Sequence, residues 1–182
     1  MQWIAFGTGS IILISISWKS LREPHSHGFY RFFAWESILL LFIVNIKYWF
    51  RNPFSWYQLI AWILLIASLI PLGLGVYSLQ TRGKQAENRA GDDSLYAFEK
   101  TTELVTTGIY KHIRHPLYSS LLLLAWGIFF KLPSLIGITL TLIATLFLVA
   151  TAITDETECV RFFGKEYVDY MKNTKMFIPK VI

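Results

Sequence analysis

"RHPLYSSLLLLAWGIFFKLPSLIGITLTLIATLFLVATAITDETE", residues 114–158, decides the fold. Two apolar runs, 117–132 and 134–154, meet at the turn Lys131-Leu132-Pro133-Ser134, and each carries charge at its far end. Pro116 suits the first turn of a helix, where its missing N–H is not needed. At about 1.5 Å per helical residue, His115 lies roughly 27 Å before the turn and Asp155 roughly 33 Å after it. An antiparallel helical hairpin therefore returns the "RHP" cluster and the "DETE" cluster to the same membrane face. By geometry alone, positive-side anchoring with an interfacial salt bridge explains that pairing as well as a binding site does.

Working outward, three more apolar segments approach the roughly 20 residues a transmembrane helix requires: about 2–18, 34–50 and 56–79. With 54% hydrophobic and 16% charged residues over 182 positions, the chain is too apolar for a soluble domain of this size. The expectation is an all-α polytopic membrane protein: one domain over 1–182, with about five transmembrane helices and a C-terminal interfacial helix. The fourth span is short and crosses only by recruiting 108–116 or by tilting and thinning the bilayer. No cleavable signal peptide is expected, because Met1-Gln2-Trp3 lacks a basic start. The sizeable polar loop is 80–107.

Of the 17 lysines and arginines, only Lys47, Arg51 and Lys131 lie on one set of flanks. The rest flank the other face, which puts the N-terminus outside and the C-terminus in the cytoplasm. The net charge of +5 is explained by an anionic membrane face, and nucleic acid is not expected as a partner. One cysteine, Cys159, rules out an intrachain disulfide and a paired thiolate metal site; it reads as packing. His25 and His27 alternate in "PHSHGFYRFFAWE" without a third ligand, so no metal is expected; the segment faces the same side as the clusters and is a candidate lining of the pocket mouth. Glu36 either pairs or faces a cavity. Asn45 and Lys47 read as snorkelling, and Pro71, Gly73 and Gly75 as a kink. After Asp155 the helix continues with Cys159, Phe163, Tyr167 and Tyr170 as an apolar stripe suited to lying along the interface.

Leu104-Val105-Thr106-Thr107-Gly108-Ile109-Tyr110, then Arg114-His115-Pro116-Leu117-Tyr118, then Asp155-Glu156, Phe163-Gly164 and Tyr167 occur in order. Over about 102–179 this series resembles the isoprenylcysteine carboxyl methyltransferase family of membrane enzymes, whereas 1–80 resembles it only in hydropathy. The resemblance implies S-adenosylmethionine as methyl donor, held by the last two transmembrane helices and the C-terminal segment. It implicates Leu104, Val105, Tyr110, His115, Pro116, Tyr118, Asp155 and Glu156 in binding that donor, with Arg114, His115 and Tyr118 at the catalytic centre. The family pattern is Glu-Glu where this chain has Asp155-Glu156, and the shorter first side chain points to Glu156 as the main contact.

The residue types fit that chemistry. S-adenosylmethionine carries a sulfonium, an ammonium and a carboxylate. Asp155 and Glu156 suit the ammonium; Arg114, His115 or backbone N–H groups at the start of the fourth span suit the carboxylate. Tyr110 and Tyr118 offer aromatic faces to the cation. The expected partners are the bilayer and a lipophilic acceptor, an isoprenylcysteine-like carboxylate or another isoprenoid or lipid group. Two alternatives stay open: a sterol-reductase-like membrane enzyme using NADPH, and a non-catalytic membrane scaffold or carrier.

Overall fold

The computed structural model describes residues 1–84 and 101–179. Of the polar loop, 85–100 lies outside the described residues, as do Arg89, Lys100 and Lys180 of the charge argument. Among the described residues seven α-helices follow in order: α1 Gln2–Ile16, α2 Trp18–Leu21, α3 His27–Asn45, α4 Trp56–Arg82, α5 Pro116–Phe129, α6 Leu135–Phe163 and α7 Lys165–Asn173. There is no named strand among the described residues; one isolated parallel bridge joins Ile113 to Lys175. The all-α, polytopic expectation holds. Three helices, at His27–Tyr48, Trp56–Arg82 and Leu135–Phe163, are long and apolar enough to cross a membrane, and α1 and α5 are shorter apolar helices.

Local chemistry sets the ends. Ser26 accepts from the Phe29 N–H at the start of α3, and Ser134 accepts from the Gly137 N–H at the start of α6. Ser26 lies eight residues before the expected start of the second span, so that helix begins earlier than hydropathy indicates: a side-chain cap, not an apolar residue, opens it. Pro116 opens α5 at the expected position. Along α6, the hydroxyls of Thr139, Thr141, Thr145, Thr151, Thr154 and Thr157 each donate to the carbonyl four residues back, which lets polar residues sit in an apolar helix.

The α5–α6 hairpin is the centre of the bundle, with α4 packed on α5, α3 on α6 and α1 on α3. Small residues set the spacing. Ala34, Ala125, Ala144 and Ala152 are fully buried in the core with Leu41 and Leu148. A Cβ on Gly127 would stand 2.9 Å from Leu65 Cγ, and one on Gly75 would stand 3.1 Å from Pro116 Cγ. Gly75 thus serves close approach of α4 to α5, and α4 runs unbroken through Pro71. Glu36 pairs: Ser10 Oγ of α1 donates to its Oε2 at 2.9 Å.

At the end of the bundle away from the charged clusters, two expectations give way. Asn45 does not snorkel; it is fully buried and its Nδ2 donates to the Ile128 carbonyl at 2.9 Å. Lys131 is not a solvated flank charge but a fully buried one: its Nζ donates to Gln58 Oε1 at 3.0 Å and lies 3.4 Å from the Trp62 ring centroid. Burial pulls its pKa down to about 8. Both side chains are used to close the α5–α6 turn against α3 and α4.

Candidate functional site

At the other end, the chain folds back on itself. Gly164, with φ 60° and ψ −134°, ends α6 in a conformation that L side chains rarely adopt, and α7 starts at once in a new direction. Residues 174–177 then run beside 112–115: Arg114 N donates to Lys175 O at 2.8 Å and His115 N to Met176 O at 3.1 Å. The Ser119 hydroxyl closes the same junction by donating to Phe177 O at 3.0 Å. The C-terminal stripe therefore does not lie as a free amphipathic face. Cys159, Phe163, Tyr167 and Tyr170 line a cavity of about 110 Å³ whose opposite wall is Tyr110, Arg114 and the start of α5.

Into that wall come most of the residues named by the motifs. Leu104, Val105, Tyr110, Arg114, His115, Pro116, Tyr118 and Asp155 all border the cavity. Glu156 does not; it is buried behind the wall. Arg114 Nε donates to Glu156 Oε1 at 2.6 Å, and His115 Nε2 lies 3.1 Å from the same oxygen. The other His115 nitrogen, Nδ1, is 3.4 Å from Asp155 Oδ2. Tyr118 donates to that Asp155 oxygen at 3.2 Å, and its ring stacks on the His115 imidazole at 5.3 Å and 19°. Arg114 is spent further on the end of α7, with Nη1 donating to the carbonyls of Thr174 at 2.5 Å and Met171 at 3.3 Å.

The electrostatics follow from this pairing. Burial opposes a charge on His115, but its hydrogen bonds to Asp155 and Glu156, and their negative charges, outweigh that and raise its pKa. His115 thus sits between two carboxylates that favour its charged form. Burial pushes the Tyr167 and Tyr170 phenols up, so both remain protonated donors. Tyr170 uses its hydroxyl on the Tyr110 carbonyl at 2.6 Å, which fixes α7 to the loop before α5.

The sequence reading had Glu158 within the acidic cluster and the His27 segment at the pocket mouth, but named neither as a site residue; Glu158 borders the cavity and His27 holds it. It also read Cys159, Phe163, Tyr167 and Tyr170 as packing or interface. The signal was present: Asp155, Cys159 and Phe163 recur every four residues on one face of α6, so the stripe continues the face of the carboxylate. His25 and His27 part company, since His25 has φ 72° and bonds Tyr30 at the surface whereas His27 is fully buried. His27, Asp155 and Glu158 each bring one ligand-type atom within 4.8 Å of the others. Both Glu158 oxygens already accept from His27, so this cluster is closed on itself.

No curated protein and no solved structure matches the chain. Residues 84–166, the segment holding the "RHP" cluster, the hairpin and the acidic run, match the phospholipid methyltransferase family model. Over these residues, somewhat less than half of the chain, it is similar to the phospholipid methyltransferase family, which includes the isoprenylcysteine carboxyl methyltransferase type.

Proposed function

We propose that the cavity between α5, α6 and α7 binds S-adenosylmethionine and that the methyl group passes to a lipophilic acceptor drawn from the bilayer. The observation that carries this reading is Asp155: a half-buried carboxylate, held by His115 and Tyr118, in a wall that also presents Tyr110, Phe163, Tyr167 and Tyr170. A carboxylate beside aromatic faces is what an organic cation requires. The enclosed 110 Å³ is well below the 300 Å³ or more of a drug-sized site, so it accommodates the reacting end and leaves the remainder to the mouth.

When bound, such a donor supplies an electrophilic methyl on sulfonium; the chain supplies alignment and a dry environment. Asp155 receives the positive end of the donor. His115 and Tyr118 hold Asp155 in one orientation, and Arg114 with Glu156 locks the loop that carries them. Tyr110, Tyr167 and Tyr170 exclude water from the reacting side. Because Glu156 is committed to Arg114 and His115, the principal carboxylate contact is assigned to Asp155, not Glu156. Leu117 and Tyr118, in the first turn of α5, border the same cavity, and the unpaired N–H groups of a helix's first turn suit the methionine carboxylate.

The acceptor is assigned by chemistry alone. An apolar cleft of about 560 Å³, bordered by Leu121, Leu124 and Ile128 of α5 and by Trp35 and Phe42 of α3, opens among the helices at membrane depth and supports a hydrocarbon-bearing substrate. The excess of basic residues on the site's face supports its exposure to the cytoplasm. The test is calorimetric titration of detergent-solubilised protein with S-adenosylmethionine and with NADPH. Binding of the first alone is expected. Binding of NADPH instead would move the chain to the reductase reading, and binding of neither to the scaffold reading.

A further inference from the structure

His27 lies at the first position of α3, outside residues 84–166 and far from them in sequence, yet it reaches the wall of the donor cavity. Its backbone N–H donates to Glu158 Oε1 at 2.9 Å and its Nδ1 lies 2.5 Å from Glu158 Oε2, so both oxygens of one carboxylate are held by one residue. Glu158 borders the cavity three residues after Asp155, on the neighbouring part of the same helix face. Two carboxylates so placed compete for one cationic ligand. Arg31, one turn along α3, is itself buried and held over the Trp35 ring at 5.4 Å.

We propose that His27 is a positioning residue of the donor pocket: by pairing with both oxygens of Glu158 it withdraws that carboxylate and leaves Asp155 to meet the positive end of the donor. The proposal rests on the methyl-donor reading and adds that the N-terminal half of the chain sets which carboxylate faces the ligand. Without the imidazole, Glu158 keeps only the backbone N–H of residue 27. A half-buried carboxylate that has lost one of its two partners is under-satisfied, so Glu158 turns into the cavity, where its longer side chain adds negative charge beside the ligand.

The experiment compares two ligands that differ at sulfur: S-adenosylmethionine, with a sulfonium, and S-adenosylhomocysteine, with a neutral thioether. Dissociation constants for both are measured on the 182-residue chain in detergent, with thermal melting to confirm folding. His27→Gln is expected to raise the preference for S-adenosylmethionine over S-adenosylhomocysteine by about fivefold, the effect of one extra charge at several ångströms in a partly screened site. His27→Ala removes the Nδ1 contact outright and is expected to do the same, and it carries the test should His27→Gln not fold. The double variant His27→Gln with Glu158→Gln is expected to return the preference to that of the wild type. If His27 serves only packing, both ligands weaken alike and the preference stays put, which overturns the proposal. A double variant that keeps the raised preference overturns it too, since Glu158 is then not the source. Wild-type protein that binds neither ligand removes the methyl-donor reading itself, a result distinct from either of these.

Discussion

Asp155 and Glu156 are adjacent in sequence and opposite in role. Consecutive helical residues point about 100° apart, so one reaches the cavity while the other turns toward Arg114 and His115. Asp155→Asn is therefore expected to weaken S-adenosylmethionine binding by about 10- to 100-fold, the range of a lost charge-assisted hydrogen bond of about 1.5–3 kcal/mol. Glu156→Gln is expected to leave Arg114 short of its partner and to lower the melting temperature more than the affinity. Equal loss of affinity in both variants would put Glu156 back in the cavity. His115 gives a pH signature. Its folded pKa is raised above the unfolded value, so its contribution to stability is complete below about pH 6.5 and is lost as pH rises through the folded value. A melting curve series from pH 6 to 9 is expected to show stability falling with pH, and His115→Gln to flatten that fall.

Elements meet here through backbone geometry as much as through side chains. Gly164 carries positive φ with ψ −134°, and nothing lies within 4 Å of where its Cβ would stand. A substitution there meets no clash, only backbone strain, of about 1–3 kcal/mol. Gly164→Ala is accordingly expected to lower the melting temperature and to weaken S-adenosylmethionine binding, because the angle between α6 and α7 places Tyr167 and Tyr170 on the cavity. A variant with native affinity would show that the two tyrosines find their places without the turn. The buried ends of the α5–α6 hairpin illustrate the same scale: Lys131 and Asn45 read as membrane-edge residues in the sequence and act as the polar fastening of a turn, because Gln58 and the Ile128 carbonyl are waiting for them.

For the whole molecule, the helices alternate in direction so that His27, His115 and Asp155 share one end and Gln58, Asn45 and Lys131 the other. Reporter fusions are expected to place the C-terminus in the cytoplasm and the N-terminus outside, following the excess of Lys and Arg on the site's face. A C-terminal reporter accessible only from outside would reverse the side from which the donor enters. At 15 and 14 residues, α1 and α5 are about 21–23 Å long, against a hydrocarbon core of about 30 Å, so the crossing of these two depends on local thinning or on flanking loops.

What the sequence determined by itself was the hairpin and its consequence. Hydropathy runs, a proline at a helix start and two charged clusters at equal depth follow from local propensity and from length, and they brought His115 opposite Asp155 before any packing was known. Motif order supplied the cavity's inner wall, from Leu104 to Tyr118. Only the tertiary structure decided which carboxylate each cation takes, because that depends on helix rotation, which hydropathy does not encode: Glu156 went to Arg114, Asp155 to the cavity and Glu158 to His27. It also decided that α7 turns back at Gly164 to roof the site, and that a histidine at position 27 reaches a carboxylate at 158. Contacts between residues so far apart in the chain arise from the packing of α3 on α6, and no local pattern in either helix records its partner.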